Sequence, residues 1–175
     1  MIPNLLTTVR LGLVPTFAYL MLCSYNLYAA AIVLVLSGIT DIVDGYIARH
    51  FNMITNFGKI YDPFVDKLMQ INVVVCLVIR GIIPIWLLLI VVFKEVTMIV
   101  IGGILYLKRI VVSSNWYGKT STVIFYAAVL VMIIWNKNLP HSISVVVIAV
   151  MIASMLLAGI GYFVDTLKNY NKKRV

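Results

Sequence analysis

The residues with the most chemical potential lie between Asp41 and Asp66. They read Asp41-x-x-Asp44-Gly45-x-x-Ala48-Arg49, then eight residues, then Gly58-x-x-x-Asp62-x-x-x-Asp66. The chain has six acidic residues, and four of them are in this stretch. Both flanks are strongly apolar, and carboxylates at membrane depth are costly enough to be functional candidates by default. On helices, Asp41 and Asp44 stand three apart and Asp62 and Asp66 four apart, so each pair shares a face. Gly45 and Ala48 lie on the Asp44 side, and Gly58 is one turn before Asp62. Two helices meeting on these small-residue faces bring the four carboxylates together. Like charges that close raise each other's pKa, and divalent cations bound by oxygen ligands resolve the conflict. Two such ions would clamp a diphosphate for in-line displacement. The competing reading is an ion-pair network that only joins helices. It needs about as many bases as acids, and the basic residues between the two halves are Arg49 and Lys59.

The string resembles, at every fixed position, the signature of the CDP-alcohol phosphotransferases: D-x-x-D-G-x-x-A-R, eight residues, G-x-x-x-D-x-x-x-D. The resemblance implies a reaction in which an alcohol attacks the β-phosphorus of a CDP-linked lipid and CMP leaves. It implies metal ligation by Asp41, Asp44, Asp62 and Asp66, with Asp66 also the general base towards the alcohol. It places the cytidine beside Gly45 and Ala48, where bulk would fill the nucleotide's space. The alternative for both, and for Gly58, is close helix packing of small residues. Arg49 is expected to meet a phosphate rather than simply to snorkel at the membrane edge. Hard oxygen ligands and phosphates favour Mg²⁺ or Mn²⁺, two ions in number.

The elements that must carry this stretch are membrane helices. Of 175 residues, 63% are hydrophobic and 11% charged, and the mean hydropathy is +1.07. A soluble domain is nearer half apolar and a quarter charged. The expectation is an all-α integral membrane protein, one domain over 1–175, with six transmembrane helices and a short N-terminal interfacial helix. Spans of roughly 20 residues fall at about 11–25, 28–49, 58–80, 85–107, 120–135 and 142–165. The two motif halves then lie on neighbouring antiparallel helices across one short connection. Pro3 and Asn4 suit a helix start, with Leu5, Leu6 and Val9 on one face and Asn4, Thr7 and Arg10 on another. Pro15 is a candidate kink, and Asp62-Pro63 is tolerable near a helix start. Lys94 and Glu95 point in different directions on a helix, so each is expected to find a partner elsewhere. Cys23 and Cys76 lie in apolar runs without metal-ligand spacing and read as small buried hydrophobes. No cleavable leader is expected, because Met1–Asn4 has no basic segment.

The formal net charge of +8 fits anionic lipid surfaces and anionic substrates. Its bases are dispersed between apolar runs, which argues against nucleic acid. Arg10, Arg49, Lys59, Lys108, Arg109, Lys119 and the tail Lys168, Lys172, Lys173 and Arg174 fall on one side of the expected spans, with Arg80 and Lys137 on the other. The positive-inside rule then puts both termini and the motif end in the cytoplasm, in a multi-pass protein of the cytoplasmic membrane.

Within the family, three segments are similar to the bacterial phosphatidylglycerophosphate synthases. They are Pro3-Asn4-Leu5-Leu6-Thr7-x-x-Arg10, Gly58-Lys59-x-x-Asp62-Pro63-x-x-Asp66-Lys67 and Asn115-x-x-Gly118-Lys119. Lys94-Glu95 departs from the Arg-Glu expected there. This resemblance implies CDP-diacylglycerol as donor, glycerol 3-phosphate as acceptor, and a homodimer among membrane lipids. Asn4, Thr7, Gly45, Ala48, Arg49 and Gly58 are then expected to bind the CDP-lipid, and Lys59, Arg109 and Lys119 the acceptor phosphate. Two alternatives stay open. One is a sibling transferase acting on serine, inositol phosphate or phosphatidylglycerol. The other is a cation transporter with intramembrane carboxylates, which predicts matching features in two halves; the later half has no counterpart of the aspartates.

Overall fold

A computed structural model describes the backbone of residues 2–50, 58–107, 116–135, 138 and 140–172, and the side chains of 6–41, 43, 61–62, 64–100, 120–135, 138, 140 and 142–161. Among the described residues the chain is all-helical. The helices are α1 (Ile2–Leu22), α2 (Leu27–His50), α3 (Gly58–Ile79), α4 (Ile85–Leu107), α5 (Trp116–Trp135) and α6 (His141–Lys172). They fall into two compact units, Met1–Leu89 and Ile90–Val175.

The first unit is built around α1, which packs against both α2 and α3. Neighbouring α2 and α3 were expected to meet directly through the motif; among the described residues their main packing partner is instead α1. The interfacial start and the first span are one helix rather than two. Helix α1 continues through Pro15, although proline removes a ladder bond in a helix interior. Packing on two sides holds it. Phe17 and Met21 are fully buried on α1, as are Val65, Met69 and Val73 on α3, a stripe repeating every four residues as one helix face requires. Ala30, Ala31 and Leu34 are the buried side of α2, small enough in part to let helices approach closely. Asn72 Nδ2 donates to the Val14 carbonyl at 3.0 Å, fixing α3 against α1 beside the proline.

The turns carry their own capping. Tyr25 adopts a left-handed φ of 53° as α1 ends, and the Asn26 N–H reaches back to the Leu20 carbonyl at 3.0 Å. The Asn26 side chain then accepts the Ala29 N–H at 3.0 Å, an N-cap for α2. Gly81, at φ 66°, ends α3 in the conformation that glycine adopts at least cost. The Arg80 guanidinium lies 4.5 Å from the Tyr25 ring centre, which joins the α1–α2 turn to the α3–α4 turn. Helix α3 starts at Gly58, so Pro63 sits past its first turn.

The second unit contains the α5–α6 pair. Phe125, Val129, Met132 and Ile133 face inward from α5, and Met151, Met155 and Ala158 from α6. Lys94 and Glu95 meet each other at 2.7 Å, a contact not anticipated from their positions; the long lysine stem bends round to the buried acid.

Among the described residues, one stretch is long and apolar enough to cross a membrane: Ser142–Gly161, mean hydropathy 2.8. Leu6–Leu22, Leu27–Asp41 and Thr120–Trp135 are apolar but shorter. The other five expected spans fall short of that standard among the described residues, because polar and charged groups interrupt them and because their ends run beyond the described side chains. Ile32, Leu36, Ile39 and Val43 nevertheless leave an apolar stripe exposed along α2.

The buried stripe and the exposed one differ in consequence. Phe17→Ala is expected to destabilise the first unit by about 3–5 kcal/mol, whereas Ile32→Ala is expected to stay within about 0.5 kcal/mol. Denaturant titration of both variants in detergent micelles, followed by far-UV circular dichroism, checks the contrast.

Candidate functional site

The polar face of α1 is where the site takes shape. Thr7 and Arg10 are three residues apart and so share a face of the helix. Both are buried, at 0% and 1% exposure, rather than lying on the outer polar face that an interfacial helix would present. Arg10 Nη1 lies 2.7 Å from Asp41 Oδ1 on α2. Thr7 Oγ1 donates to Asp62 Oδ1 on α3 at 2.6 Å. One turn of α1 therefore holds the first aspartate of each half-motif. This is the end of the first unit opposite the Arg80–Tyr25 contact, since α1 and α3 run the same way and α2 returns between them in sequence.

The energetics of the two contacts differ. Removing a partner from a fully buried ion pair costs about 3–5 kcal/mol. Asp41 is 52% exposed, so water shares in solvating this pair and its cost falls below that range. The burden falls on Arg10, whose guanidinium is enclosed and keeps its charge at any ordinary pH. The Thr7 hydroxyl meets its carboxylate at 2.6 Å, a short contact.

The aspartates are hard oxygen donors of the kind that Mg²⁺ and Mn²⁺ take. Both contacts use Oδ1, and a carboxylate has a second oxygen with which to meet a cation. Asp66 stands one turn beyond Asp62 on α3 and is partly buried. Asp44 belongs to α2, but its side chain lies outside the described residues, and among the described residues no three acidic, histidine or cysteine side chains gather.

Of the other expected site residues, Thr7 sits on Asp62. The backbones of Asn4 on α1, of Gly45, Ala48 and Arg49 on α2, of Gly58 and Lys59 on α3, and of Lys119 on α5 are helical. The side chains of these residues lie outside the described ones. Arg109 lies outside the described residues altogether. Lys119 belongs to the second unit.

Arg10 is the residue that sequence reasoning left out of the site. Its signal was present: a lone base within an apolar helix, on the face shared by Asn4 and Thr7. Also unanticipated is Lys67, whose Nζ donates to Gln70 Oε1 at 3.2 Å; Gln70 is 2% exposed, so the lysine shields a buried amide.

Comparison with known proteins agrees with the motif. A family model described as CDP-alcohol phosphatidyltransferase matches residues 1–160. The chain is 31% identical over 149 residues to the CDP-diacylglycerol–glycerol-3-phosphate 3-phosphatidyltransferase of Bacillus subtilis, covering 77% of each chain. It is 28% identical over 171 residues to a probable phosphatidylglycerophosphate synthase of Mycobacterium tuberculosis, covering 95% of this chain and 81% of that one. It is 38% identical over 109 residues to a CMP-forming cardiolipin synthase of Streptomyces coelicolor, covering 59% of this chain and about half, 51%, of the relative. With the family model spanning nearly the whole chain and the signature intact from Asp41 to Asp66, this protein is an enzyme of the CDP-alcohol phosphatidyltransferase family.

Proposed function

We propose that the chain transfers the phosphatidyl group of CDP-diacylglycerol to glycerol 3-phosphate, releasing CMP and forming phosphatidylglycerophosphate. The single observation that carries the site is that Arg10 and Thr7 hold Asp41 and Asp62 from one turn of α1. The acceptor rests on the opening segment, on the Lys59 and Lys119 segments and on the names of the Bacillus and Mycobacterium relatives.

In this reading Asp41, Asp44, Asp62 and Asp66 hold two divalent cations, Mg²⁺ or Mn²⁺. When bound, these neutralise charge on the diphosphate and on the leaving CMP. The protein's own task is positioning and electrostatics, since phosphoryl transfer asks for little else. Asp66 accepts the proton of the acceptor hydroxyl. The hydroxyl oxygen of the acceptor forms the new bond to the β-phosphorus as the bond to CMP breaks. Gly45 and Ala48 leave room for the nucleotide, with Gly58, Asn4 and Arg49 completing the CDP-lipid site. Thr7, first expected in that group, contributes through Asp62. Lys59, Arg109 and Lys119 receive the phosphate of the acceptor.

The same reading makes 1–175 one functional domain of six membrane spans, the family model covering residues 1–160 of it. Its termini and site face the cytoplasm of a multi-pass membrane protein, and two copies form a homodimer. The cardiolipin synthase match supports a second reading, in which phosphatidylglycerol replaces glycerol 3-phosphate as the acceptor.

Purified chain in nanodiscs with CDP-diacylglycerol and Mg²⁺ is expected to release CMP with glycerol 3-phosphate. Little release is expected with phosphatidylglycerol, serine or inositol phosphate. A preference for phosphatidylglycerol would transfer the assignment to cardiolipin synthesis. Asp44→Asn and Asp62→Asn are expected to lower CMP release by at least about a hundredfold, the scale of a lost electrostatic group at a transition state. Asp66→Asn is expected to lose kcat while retaining CDP-diacylglycerol binding; an equal loss of both removes it from the base role. Lys119→Ala is expected to raise KM for glycerol 3-phosphate more than KM for the lipid. Initial rates over a grid of both substrates read out the split.

A further inference from the structure

The catalytic reading names α1 as the holder of two aspartates and leaves open what that hold does. Its two buried polar residues do something more specific. Thr7 is 0% exposed and Arg10 1%, and each spends a contact on a different half of the motif. We propose that Thr7 and Arg10 are positioning residues for the cation-binding carboxylates. Helix α1 sets the orientation and separation of Asp41 and Asp62. This rests on the proposed metal-binding role of those aspartates.

Three observations converge. First, the two contacts come from one face of one turn, so a rigid helical segment fixes the distance between two points on different helices. Second, each contact bears on Oδ1 of its aspartate and so ties that oxygen to α1. Threonine is branched at Cβ and stiff at χ1, so the Thr7 hydroxyl sets direction as well as contact, while Arg10 holds Asp41 as an ion pair. Third, the position of α1 is itself locked. The Asn72 bond to the Val14 carbonyl and the buried Phe17 and Met21 fix the helix along its axis. A partner that orients a metal ligand in this way is worth about 10–100-fold in metal affinity or activity.

The test is Mn²⁺ affinity of the full chain in nanodiscs, read by electron paramagnetic resonance without lipid substrate, alongside thermal unfolding. Thr7→Val keeps the shape and removes the donor. Arg10→Lys keeps the charge and removes the fork, so a change in affinity reports geometry rather than net charge. Each is expected to weaken Mn²⁺ binding about tenfold, while Thr7→Ser, which retains the hydroxyl, stays near the unaltered chain. Asp41→Asn and Asp62→Asn are the reference losses. Folded Thr7→Val and Arg10→Lys proteins that bind Mn²⁺ like the unaltered chain, with both aspartate variants impaired, overturn the positioning role and leave the metal reading standing. A Thr7→Val protein that loses thermal stability but not affinity overturns it equally. Unchanged affinity in both aspartate variants overturns the metal reading, and this inference with it. If Arg10→Lys does not fold, the Thr7→Val and Thr7→Ser pair decides.

Discussion

An enclosed guanidinium must have a carboxylate. Arg10 cannot shed its proton, and burying it unpaired is prohibitive. Its position on α1 therefore dictates where Asp41 on α2 has to be. Thr7, one turn earlier, makes a second demand on Asp62 of α3. The arrangement of the first unit follows from these two polar contacts and from the apolar stripes of Phe17, Met21, Val65 and Met69 around them. Apolar packing sets how closely the helices approach. The polar contacts set their register, because a hydrogen bond tolerates far less sliding than a methyl group does.

The two ends of this unit are built differently. At one end the polar groups are acids held from below by a base and a hydroxyl. At the other, Arg80 stacks on Tyr25, and left-handed residues close the turns. Between them, Asn72 bonds to the chain beside Pro15. A helix carrying an internal proline is weakened in isolation, and here tertiary contacts on two sides maintain it. On α4 the compensation is local: Lys94 pairs with its sequence neighbour, the buried Glu95. For the proline helix, and for Arg10 and the aspartates, it comes from another helix.

Family membership makes sense of where the polar groups sit. An enzyme that joins a lipid carrier to an alcohol needs its charged groups at the edge of an apolar bundle, not spread through it. Asp41 is half-exposed although its partner is sealed. That asymmetry suits a carboxylate that must be held on one side and remain reachable from the other. The exposed apolar stripe on α2 continues up to Val43, beside the motif, so the surface that suits acyl chains ends where the acids begin.

The sequence by itself determined the family. Four aspartates, two glycines, an alanine and an arginine at set spacings were enough, because residue type and helical periodicity are local properties. It also determined that the chain is helical, since apolar runs of that length have little else to form. What it could not determine was which helix touches which. Neighbours in sequence, α2 and α3 were expected to meet each other directly, yet in the described structure both are gripped by α1. Nor could it show that Thr7 and Arg10 face inward, because a polar face looks the same on a helical wheel whether it meets water or a buried acid. The choice depends on desolvation balanced against a partner dozens of residues away, and only the tertiary structure brings that partner into reach.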